Sequence, residues 1–331
     1  MNNKLRGAKI SATASYLPER IMTNYDLEKI VDTSDEWIFE RTGIKERRIV
    51  SENEATSDIG AKAALKLFKE YNIDPKSIDL IICATFSPDQ LFPATACLIQ
   101  NKIGCNNAGA YDIEGACSGF VSALSAASAY IKSREFNRVL VIAAECNSRI
   151  MDWSDRNTCV IFGDGAAAIL VEPCDYGEGI LGSYLRADGS GGELLEMPAG
   201  GSKLPASEKT VNEGQHYLKM KGKELFKVAV KNMSQVVNEL INKYNKKIED
   251  IDWLIPHQAN IRIMDAVAKR LKFPKEKTFS NIMKYGNTSA ATIAICFDEM
   301  NRQGLLKHGD LIVTTAFGGG LTWGGNLIVW N

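Results

Sequence analysis

The sequence predicts an α/β fold made of two similar halves. Apolar runs rich in β-branched residues alternate with helical patterns, which is typical of a sheet covered by helices. The order and spacing of these elements in the second half repeat those of the first. With 331 residues, the chain has room for about two domains of ordinary size. We therefore expect two α/β units that pack about a pseudo-twofold axis.

The clearest elements of the first half are two strands and two helices. Residues 79–84 and 138–143 are short apolar runs that predict buried strands. Residues 57–72 and 118–133 have helical patterns. The second of these helices consists largely of small residues on every face, which indicates burial on all sides.

The second half contains matching elements. Residues 251–255 resemble residues 78–82, and each run follows an amphipathic helix. A further helix is predicted to begin at Cys117 in the first half and at Asn287 in the second, and the next strand starts 22 and 24 residues later, respectively. Because equivalent helix starts would meet at the pseudo-twofold axis, we expect Cys117 and Asn287 to lie together.

Three segments define the limits of this repeat. The boundary between the halves is predicted near residues 173–179, with a first unit over 1–175 and a second over 176–331. Residues 188–214 are rich in Gly, Ser, Pro and Glu and are predicted to be irregular. Residues 163–168 match the dinucleotide-binding pattern G-x-G-x-x-A, but they run into an apolar strand instead of opening a helix, so we expect no nucleotide site there.

Composition excludes several classes of function. The formal net charge of −1 predicts no general affinity for nucleic acid, so a charged partner must be recognised by a local patch. No run approaches the roughly 18 apolar residues that span a membrane, and residues 11–18 are too polar for a signal peptide, so we expect a cytoplasmic protein. Eight cysteines without a C-x-x-C pair predict free thiols and no metal site.

The candidate nucleophile is Cys117, in the Gly-Ala-Cys-Ser-Gly segment at residues 115–119. It precedes the small-residue helix, whose positive end is expected to lower the pKa of the thiol. Gly115 and Gly119 indicate a tight turn with a close backbone approach. A buried structural cysteine is the other interpretation, and the segment alone does not decide between them.

His257 and Asn287 are the candidate partners of this thiol. His257 comes at the predicted end of a strand, where ligands of α/β sheets collect, whereas His216 and His308 lie in irregular or solvated segments. A polar group satisfied by the fold is the other interpretation of His257, and a helix N-cap is the other interpretation of Asn287. Together, a thiol, an imidazole and a neutral amide can perform acyl transfer.

Six segments carry a resemblance to a known family. In chain order they are TSDEWI (33–38), RTGI (41–44), FGDGA (162–166), PHQAN (256–260), GNTSAA (286–291) and FGGGLTWG (317–324). Over essentially its whole length the sequence resembles β-ketoacyl-acyl-carrier-protein synthase III, a condensing enzyme of the thiolase fold. The resemblance implies duplicated α/β halves in a layered αβαβα arrangement.

The resemblance also implies a reaction. Cys117 is acylated by an acyl-CoA, with the backbone N–H groups of Cys117 and Gly319 as the oxyanion hole. Malonyl-acyl-carrier protein (malonyl-ACP) then loses CO2, and His257 and Asn287 donate hydrogen bonds that stabilise the enolate. Attack on the acyl-enzyme gives 3-oxoacyl-ACP and initiates type II fatty-acid synthesis. No cofactor or metal is implied beyond the two substrates.

Further residues take roles by the same resemblance. Trp37 and Arg156 match residues that stack on and pair with the adenine end of CoA, and Arg41 lies at the same mouth. The wall of the pantetheine tunnel is matched by Gly222, Ala259 and Asn260. Phe92 matches a residue that closes the acyl pocket of a neighbouring subunit, which implies a homodimer and an acetyl primer. Ordinary packing is the other interpretation of Trp37 and Phe92.

A local cluster of basic residues suits an acidic carrier protein. It comprises Lys219, Lys221, Lys223, Lys227 and Lys231 on or before one helix, and Arg262 and Lys269 on another. We expect Lys227 and Arg262 to dock the carrier, with a salt-dependent affinity. A solvated helix face is the other interpretation of such a run.

Some residues depart from the family pattern, but none of the changes removes a catalytic group. The nucleophile segment reads Gly-Ala-Cys-Ser-Gly where many members have Ala-Ala-Cys-Ala-Gly, and Lys223 stands where some members have Asn. These changes leave the fit of CoA and the choice of primer undecided. The rival functions are an acyltransferase of specialised metabolism, a thioester hydrolase that shares the acyl-cysteine step, and an inactive acyl-binding relative.

Overall fold

The computed structural model of the chain describes residues 5–331. The strands in this range are β1 (Arg6–Tyr16), β2 (Arg20–Thr23), β3 (Glu46–Ile49), β4 (Leu80–Ala84), β5 (Gly109–Ile113), β6 (Val139–Glu145), β7 (Gly165–Asp175), β8 (Gly179–Ala187), β9 (Leu195–Glu196), β10 (Lys219–Met220), β11 (Trp253–Pro256), β12 (Leu311–Gly318) and β13 (Thr322–Val329). The α-helices are α1 (Asn24–Leu27), α2 (Asp35–Thr42), α3 (Thr56–Tyr71), α4 (Thr95–Ile103), α5 (Gly119–Ser133), α6 (Glu208–Asn212), α7 (Gly222–Lys243), α8 (Ile261–Leu271), α9 (Ile282–Tyr285) and α10 (Ala291–Arg302). Short 3₁₀ turns cover Pro75–Ser77, Ala116–Ser118, Asn147–Arg149, Gly189–Leu194, Ile248–Asp250 and Lys275–Lys277.

The strand order shows that the fold is duplicated. Among the described strands, nine form one sheet in the order β11-β12-β13-β8-β1-β7-β6-β4-β5. In the first half β4 is parallel to β5 and β6, and β7 and β1 follow in antiparallel pairing. In the second half β11 and β12 are parallel, and β13 and β8 follow in antiparallel pairing. The counterpart of β5 is a parallel bridge between Leu254 and Thr278.

Helices fill the space between and around the two half-sheets. α3 and α4 pack on one face of the first half-sheet, and α7 and α8 pack on the outer face of the second. α5 and α10 lie between the half-sheets in one shared apolar cluster. α5 lacks a polar face because both half-sheets contact it, and its Val121, Leu124 and Ile131 are fully buried. These contacts confirm the predicted αβαβα layering of duplicated halves.

Most predicted elements lie where the sequence indicated. The helices predicted over 57–72 and 118–133 are α3 and α5, and the strands that follow the two predicted helix starts begin at Val139 and Leu311. The chain after Gly163 enters β7, as expected, and does not open a helix. Residues 188–214 contain short elements separated by loops. No helix within residues 5–331 is long and apolar enough to cross a bilayer.

One predicted boundary is wrong. The second-half helix begins at Ala291, and Asn287 lies in the loop before it. Gly286 and Ser289 have φ angles of +63° and +50°, in the left-handed region that interrupts a right-handed helix. Asn287 therefore lies in the loop between α9 and α10, where it forms an isolated parallel bridge with Phe162, whereas the corresponding first-half turn leads directly into α5.

Candidate active site

A narrow pocket between the two halves brings together side chains that lie far apart in sequence. Its volume is about 140 Å³, and Cys117, His257 and Asn287 all line it. The remaining wall is mainly apolar and includes Leu195, Leu225, Met233 and Phe317. The three predicted catalytic residues therefore share one small enclosure in which hydrogen bonds are only weakly screened by water.

Cys117 lies in the 3₁₀ turn directly before α5. Ala116 has a φ of +44°, an uncommon conformation for a residue with a Cβ, which marks a tight turn. A Cβ added to Gly318 would come within 2.7 Å of the backbone nitrogen of Cys117, so the end of β12 packs against the backbone of this turn. The Ser289 hydroxyl donates a hydrogen bond to the sulfur of Cys117 across 3.3 Å.

The electrostatic surroundings of Cys117 oppose ionisation of its thiol. Burial raises the pKa of the thiol to about 12, and Glu145 and Glu114 act in the same direction when they are ionised. Burial also raises the pKa of Glu145 to about 8, so most of its charge develops above neutral pH. The Ser289 hydroxyl and the backbone N–H of Cys117 oppose the rise in the pKa of the thiol. The direction of this rise is opposite to the lowering expected from the helix end, because removing a thiolate from water is costly. Cys117 is a neutral thiol at rest.

His257 follows β11 directly, at the carboxyl end of that strand as predicted. Its backbone N–H donates to the Thr315 carbonyl at 2.8 Å, which ties the residue to β12. Its Nδ1 lies 2.7 Å from the Thr292 hydroxyl oxygen. Burial lowers the pKa of the imidazole to about 3, so the ring is neutral near pH 7. Thr292 occupies Nδ1, which leaves Nε2 for a ligand.

Asn287 is held by the backbone of the first half. Its N–H donates to the Ile161 carbonyl at 2.9 Å, and its carbonyl accepts the Gly163 N–H at 3.0 Å. Its side-chain Oδ1 accepts the Ser289 N–H at 2.8 Å, which leaves Nδ2 as a donor. The N-cap of α10 is Ala290, so the interpretation of Asn287 as a helix cap is wrong.

The glycine turn after β12 lies beside the nucleophile turn. A Cβ added to Gly319 would meet the Leu195 carbonyl oxygen at 3.2 Å and the Ala116 Cβ at 3.6 Å. Gly319 therefore lies next to the residue that precedes Cys117. The two residues whose backbone N–H groups are predicted to form the oxyanion hole therefore lie on adjacent turns.

A larger groove of about 1010 Å³ continues from the pocket to the surface. Trp37 in α2 lies at its mouth between two guanidinium groups, with Arg41 at 4.4 Å and Arg156 at 5.1 Å from the ring centroid. Arg156 also donates to the Asp32 backbone carbonyl at 2.9 Å. An aromatic face with two cations can hold a planar heterocycle together with phosphate groups.

The passage between groove and pocket is built from the segments that the sequence indicated. Gly222, Ala259 and Asn260 line the inner pocket, and Gly222 and Asn260 also line the outer groove. The Asn260 side chain caps α8 by accepting the Arg262 N–H and donates to the Arg41 carbonyl, each at 2.8 Å. Asn260 therefore joins the passage wall to the groove mouth.

Two predicted docking residues lie on the rim of the groove. Lys227 in α7 and Arg262 in α8 are exposed and line the same groove. Within residues 5–331, neither forms an ion pair, in contrast to Lys221, which pairs with Glu193 at 3.4 Å. Their charge is thus free to attract an anionic partner.

Phe92 is not brought to the pocket within one chain. It lies in the loop between β4 and α4, and the residue is 84% exposed, as the neighbouring Leu91 is 82% exposed. Two such apolar side chains at one loop tip are typical of a surface that contacts another protein.

Sequence reasoning missed two residues that contact the predicted catalytic set. Ser289 contacts Cys117 and Asn287, and Thr292 contacts His257. Asn side chains commonly accept a hydrogen bond from the backbone N–H two residues later, which closes a local turn. The Asn287–Ser289 contact could therefore have been predicted from the sequence. The contact between Ser289 and Cys117 joins the two halves and had no local signal.

The eight cysteines are all free in this structure. Within the described residues, no group of three or more His, Cys, Asp or Glu side chains could hold a metal ion.

Comparisons with known proteins give one consistent result. Residues 111–189 match the family model of 3-oxoacyl-[acyl-carrier-protein] synthase III, and residues 241–330 match the model of its C-terminal region. A β-ketoacyl-[acyl-carrier-protein] synthase III from Caldanaerobacter subterraneus subsp. tengcongensis is 53% identical over 324 residues, covering 98% of each chain.

Solved structures extend this similarity to the whole fold. The crystal structure of 3-oxoacyl-[acyl-carrier-protein] synthase III from Aquifex aeolicus VF5 is 49% identical, with a TM-score of 0.90 and coverage of 98% of this chain and 100% of that chain. The priming β-ketosynthase of the R1128 polyketide pathway is 31% identical, with a TM-score of 0.91 and coverage of 99% and 97%.

Proposed function

The chain belongs to the β-ketoacyl-[acyl-carrier-protein] synthase III family, and we propose on that premise that it condenses an acyl-CoA with malonyl-ACP to begin type II fatty-acid synthesis. It is an acyltransferase of the condensing type. The single observation that carries the assignment of roles is the pocket itself. A thiol from one half meets an imidazole and an amide from the other, and a cationic groove leads to them.

The first half-reaction transfers the acyl group to Cys117. The sulfur attacks the thioester carbonyl of acyl-CoA, the C–S bond to CoA breaks, and the thiol proton finally resides on CoA. The carbonyl oxygen gains negative charge in the transition state, and the N–H groups of Cys117 and Gly319 stabilise it. Each such donor typically contributes about 3–4 kcal/mol to lowering a barrier. Because the resting thiol is neutral, charge on sulfur develops only during the reaction.

The second half-reaction forms the new carbon–carbon bond. Malonyl-ACP loses CO2, and the resulting enolate attacks the carbonyl carbon of the acyl group on Cys117. The bond between that carbon and the Cys117 sulfur then breaks, and the sulfur leaves as a thiolate that takes up a proton. His257 Nε2–H and Asn287 Nδ2–H donate to the enolate oxygen. The Thr292 hydroxyl oxygen lies 2.7 Å from Nδ1 of His257 and 3.0 Å from the Ser289 carbonyl oxygen, so its single hydrogen can bond to only one of them. The proposed role of a neutral His257 requires that hydrogen to turn to Nδ1, because Nε2 then carries the ring proton and can donate.

This division of roles needs no cofactor. Loss of CO2 itself generates the carbanion, so a strong base is unnecessary and a neutral amide can fill the third position. Trp37, Arg41 and Arg156 hold the adenine and phosphate end of CoA, and Gly222, Ala259 and Asn260 border its pantetheine arm. Lys227 and Arg262 attract the acidic carrier protein, which delivers the second substrate through the same groove.

We propose that each chain consists of an N-terminal unit (1–175) and a C-terminal unit (176–331), each of which forms one α/β half. Two such chains form the active homodimer. The exposure of Phe92 supports this, because its loop is free to enter a neighbouring subunit and shorten the acyl pocket. A short pocket favours an acetyl primer. We place the enzyme in the cytoplasm, where acyl-CoA and acyl-carrier protein are available.

A second candidate is the priming of a specialised pathway by the same chemistry. The 31% identity to a polyketide-priming β-ketosynthase supports it, since both use one fold. The choice of primer separates the two candidates: acetyl favours fatty-acid initiation, and a longer or unusual acyl group favours a specialised role.

The test is the intact mass of the protein after mixing with a panel of acyl-CoAs, followed by peptide mapping. We expect one acyl group on Cys117, with acetyl-CoA reacting fastest. Addition of malonyl-ACP is then expected to discharge the enzyme and release a 3-oxoacyl product. Release of free acid instead would identify a thioester hydrolase, and no adduct with any acyl-CoA would contradict the proposal.

A further inference from the structure

Ser289 is the residue through which the nucleophile and the amide donor are connected. It is fully buried, it lies two positions after Asn287, and its hydroxyl donates to the sulfur of Cys117 across 3.3 Å. Its backbone N–H donates to the Oδ1 of Asn287 at 2.8 Å. One residue of the second half therefore contacts the reactive atom of the first half and also orients a side chain of its own half.

We propose that Ser289 is a fourth catalytic residue, whose hydroxyl stabilises the negative charge on the sulfur of Cys117 and whose backbone N–H fixes the amide of Asn287. The proposal rests on the acyl-Cys117 mechanism given above and adds a role at the sulfur. The sulfur carries charge twice: once when it attacks acyl-CoA and once when it leaves the 3-oxoacyl product.

The Ser289 hydroxyl stabilises the thiolate of Cys117 more than the neutral thiol. A neutral thiol is a weak hydrogen-bond acceptor, and a thiolate is a strong one. The bond from Ser289 therefore strengthens as charge develops, and a contact that strengthens on the way to the transition state accelerates the reaction. The pocket is small and mainly apolar, and Glu145 and Glu114 both disfavour a thiolate when they are ionised, so a donor at this position has few substitutes.

The backbone of Ser289 has a separate effect. An amide side chain can be placed with either its oxygen or its nitrogen toward a ligand. The N–H of Ser289 selects the oxygen of Asn287 as its partner, so Nδ2 remains free to donate to the substrate. No hydrogen bond from Nδ2 occurs within residues 5–331.

The conformation of Ser289 favours a functional over a purely structural role. Its φ of +50° is in the left-handed region, where a residue with a Cβ is less stable than glycine. Glycine at this position would relieve that cost but would have no hydroxyl. Ser289→Gly and Ser289→Ala are therefore tested together. Both remove the hydroxyl, but only Ser289→Gly also removes the cost of the left-handed backbone conformation.

The experiment measures the rate at which iodoacetamide alkylates Cys117 as a function of pH, with peptide mapping to assign the adduct. Because burial already raises the pKa of the thiol to about 12, the rate is expected to rise with pH throughout the range 7–10. Loss of a donor to the thiolate raises that pKa further. We expect Ser289→Ala and Ser289→Gly to react about 10-fold to 100-fold more slowly than the unmodified chain at any one pH in this range.

The same variants are then tested for acylation by acetyl-CoA and for release of CO2 from malonyl-ACP. Acylation is expected to fall by the same factor as alkylation. Release of CO2 is expected to stay within about threefold, because the backbone N–H that orients Asn287 is present in all variants. Ser234→Ala is the matched control: it removes another buried serine hydroxyl, which bonds to the Val230 carbonyl at 2.8 Å, and should change neither rate.

Three results would overturn the inference. Alkylation of Ser289→Ala at the unmodified rate and pH profile would show that the hydroxyl does not act on the sulfur. Recovery of the full rate in Ser289→Gly would show that only the backbone matters. An equal loss of acylation and CO2 release in both variants would indicate a structural role. Failure of the unmodified chain to form acyl-Cys117 would instead contradict the proposed function, whatever the variants do.

Discussion

The two halves share a strand order but differ where each reaches the pocket. In the first half the turn that carries Cys117 leads directly into α5, so a reactive atom and backbone N–H groups lie at one helix start. In the second half a loop with two left-handed residues precedes α10, and Asn287 lies within that loop. The tight turn presents backbone and sulfur, and the looser loop presents side-chain donors.

This difference teaches how a duplicated fold divides one reaction. The two half-sheets have the same strand order, and the turns at which they differ carry different chemical groups: the thiol in the first half and the amide in the second. The halves are also interdependent: the first half holds the backbone of Asn287 through Ile161 and Gly163, and the second half contacts the sulfur of Cys117 through Ser289. We expect covalent capture to require the Cys117 thiol of the first half, assisted by Ser289 and Gly319, and decarboxylation to require the side-chain donors of the second half.

Removal of the nucleophile is the most severe test of this division. Cys117→Ala should abolish acylation by acyl-CoA, because no other thiol within residues 5–331 lines the pocket. Release of CO2 from malonyl-ACP should persist at a measurable rate, since His257 and Asn287 remain in place. Intact mass and CO2 release measure the two activities. Cys97→Ala, which removes an exposed thiol outside the pocket, is the matched control and should behave like the unmodified chain.

A retained acyl adduct in Cys117→Ala would contradict the assignment of the nucleophile. Loss of CO2 release together with acylation, at an unchanged melting temperature, would contradict the separation of the halves.

Removal of the amide donor should produce the opposite pattern with a smaller effect. Asn287→Ala is expected to leave acylation within a few-fold and to slow condensation by about 100-fold to 1,000-fold, the usual cost of losing one oxyanion donor. Single-turnover acylation and formation of 3-oxoacyl-ACP measure the two steps. Asn287→Asp is the second variant, because it can still accept the Ser289 N–H but cannot donate when ionised.

Equal slowing of both steps in Asn287→Ala would disprove the division of labour at this residue. Condensation at the normal rate in Asn287→Asp would show that donation by Nδ2 is not required.

The same comparison explains which features the sequence could predict. The repeat of strand and helix spacing is carried by local patterns, so the duplicated α/β fold and the strand starts at Val139 and Leu311 could be predicted. The family followed from ordered motifs. The start of α10 was misplaced because the left-handed φ of Ser289 is uncommon for a residue with a Cβ and has no clear signature in sequence.

The charge state of the pocket was beyond local reasoning. A helix start predicts a lowered pKa for Cys117, but the burial that raises the pKa arises from residues of both halves. The Ser289 contact to the sulfur joins positions 172 apart in sequence. Such effects are properties of the packed interface between the halves, and neither half carries them alone.

The smallest effect on activity is expected from a substitution at the exposed rim of the groove, where the substrate is not enclosed by the two halves. Arg262→Glu should raise the apparent KM for malonyl-ACP by about 5-fold to 10-fold at low salt, and by less at high salt, because exposed charges are screened. The rate of acylation by saturating acyl-CoA should not change. Arg270→Glu is the matched control, since it reverses an exposed charge on the same helix, outside both the basic cluster and the groove lining. A similar KM change in both variants would assign the effect to net charge, and no change in Arg262→Glu would remove Arg262 from the docking surface.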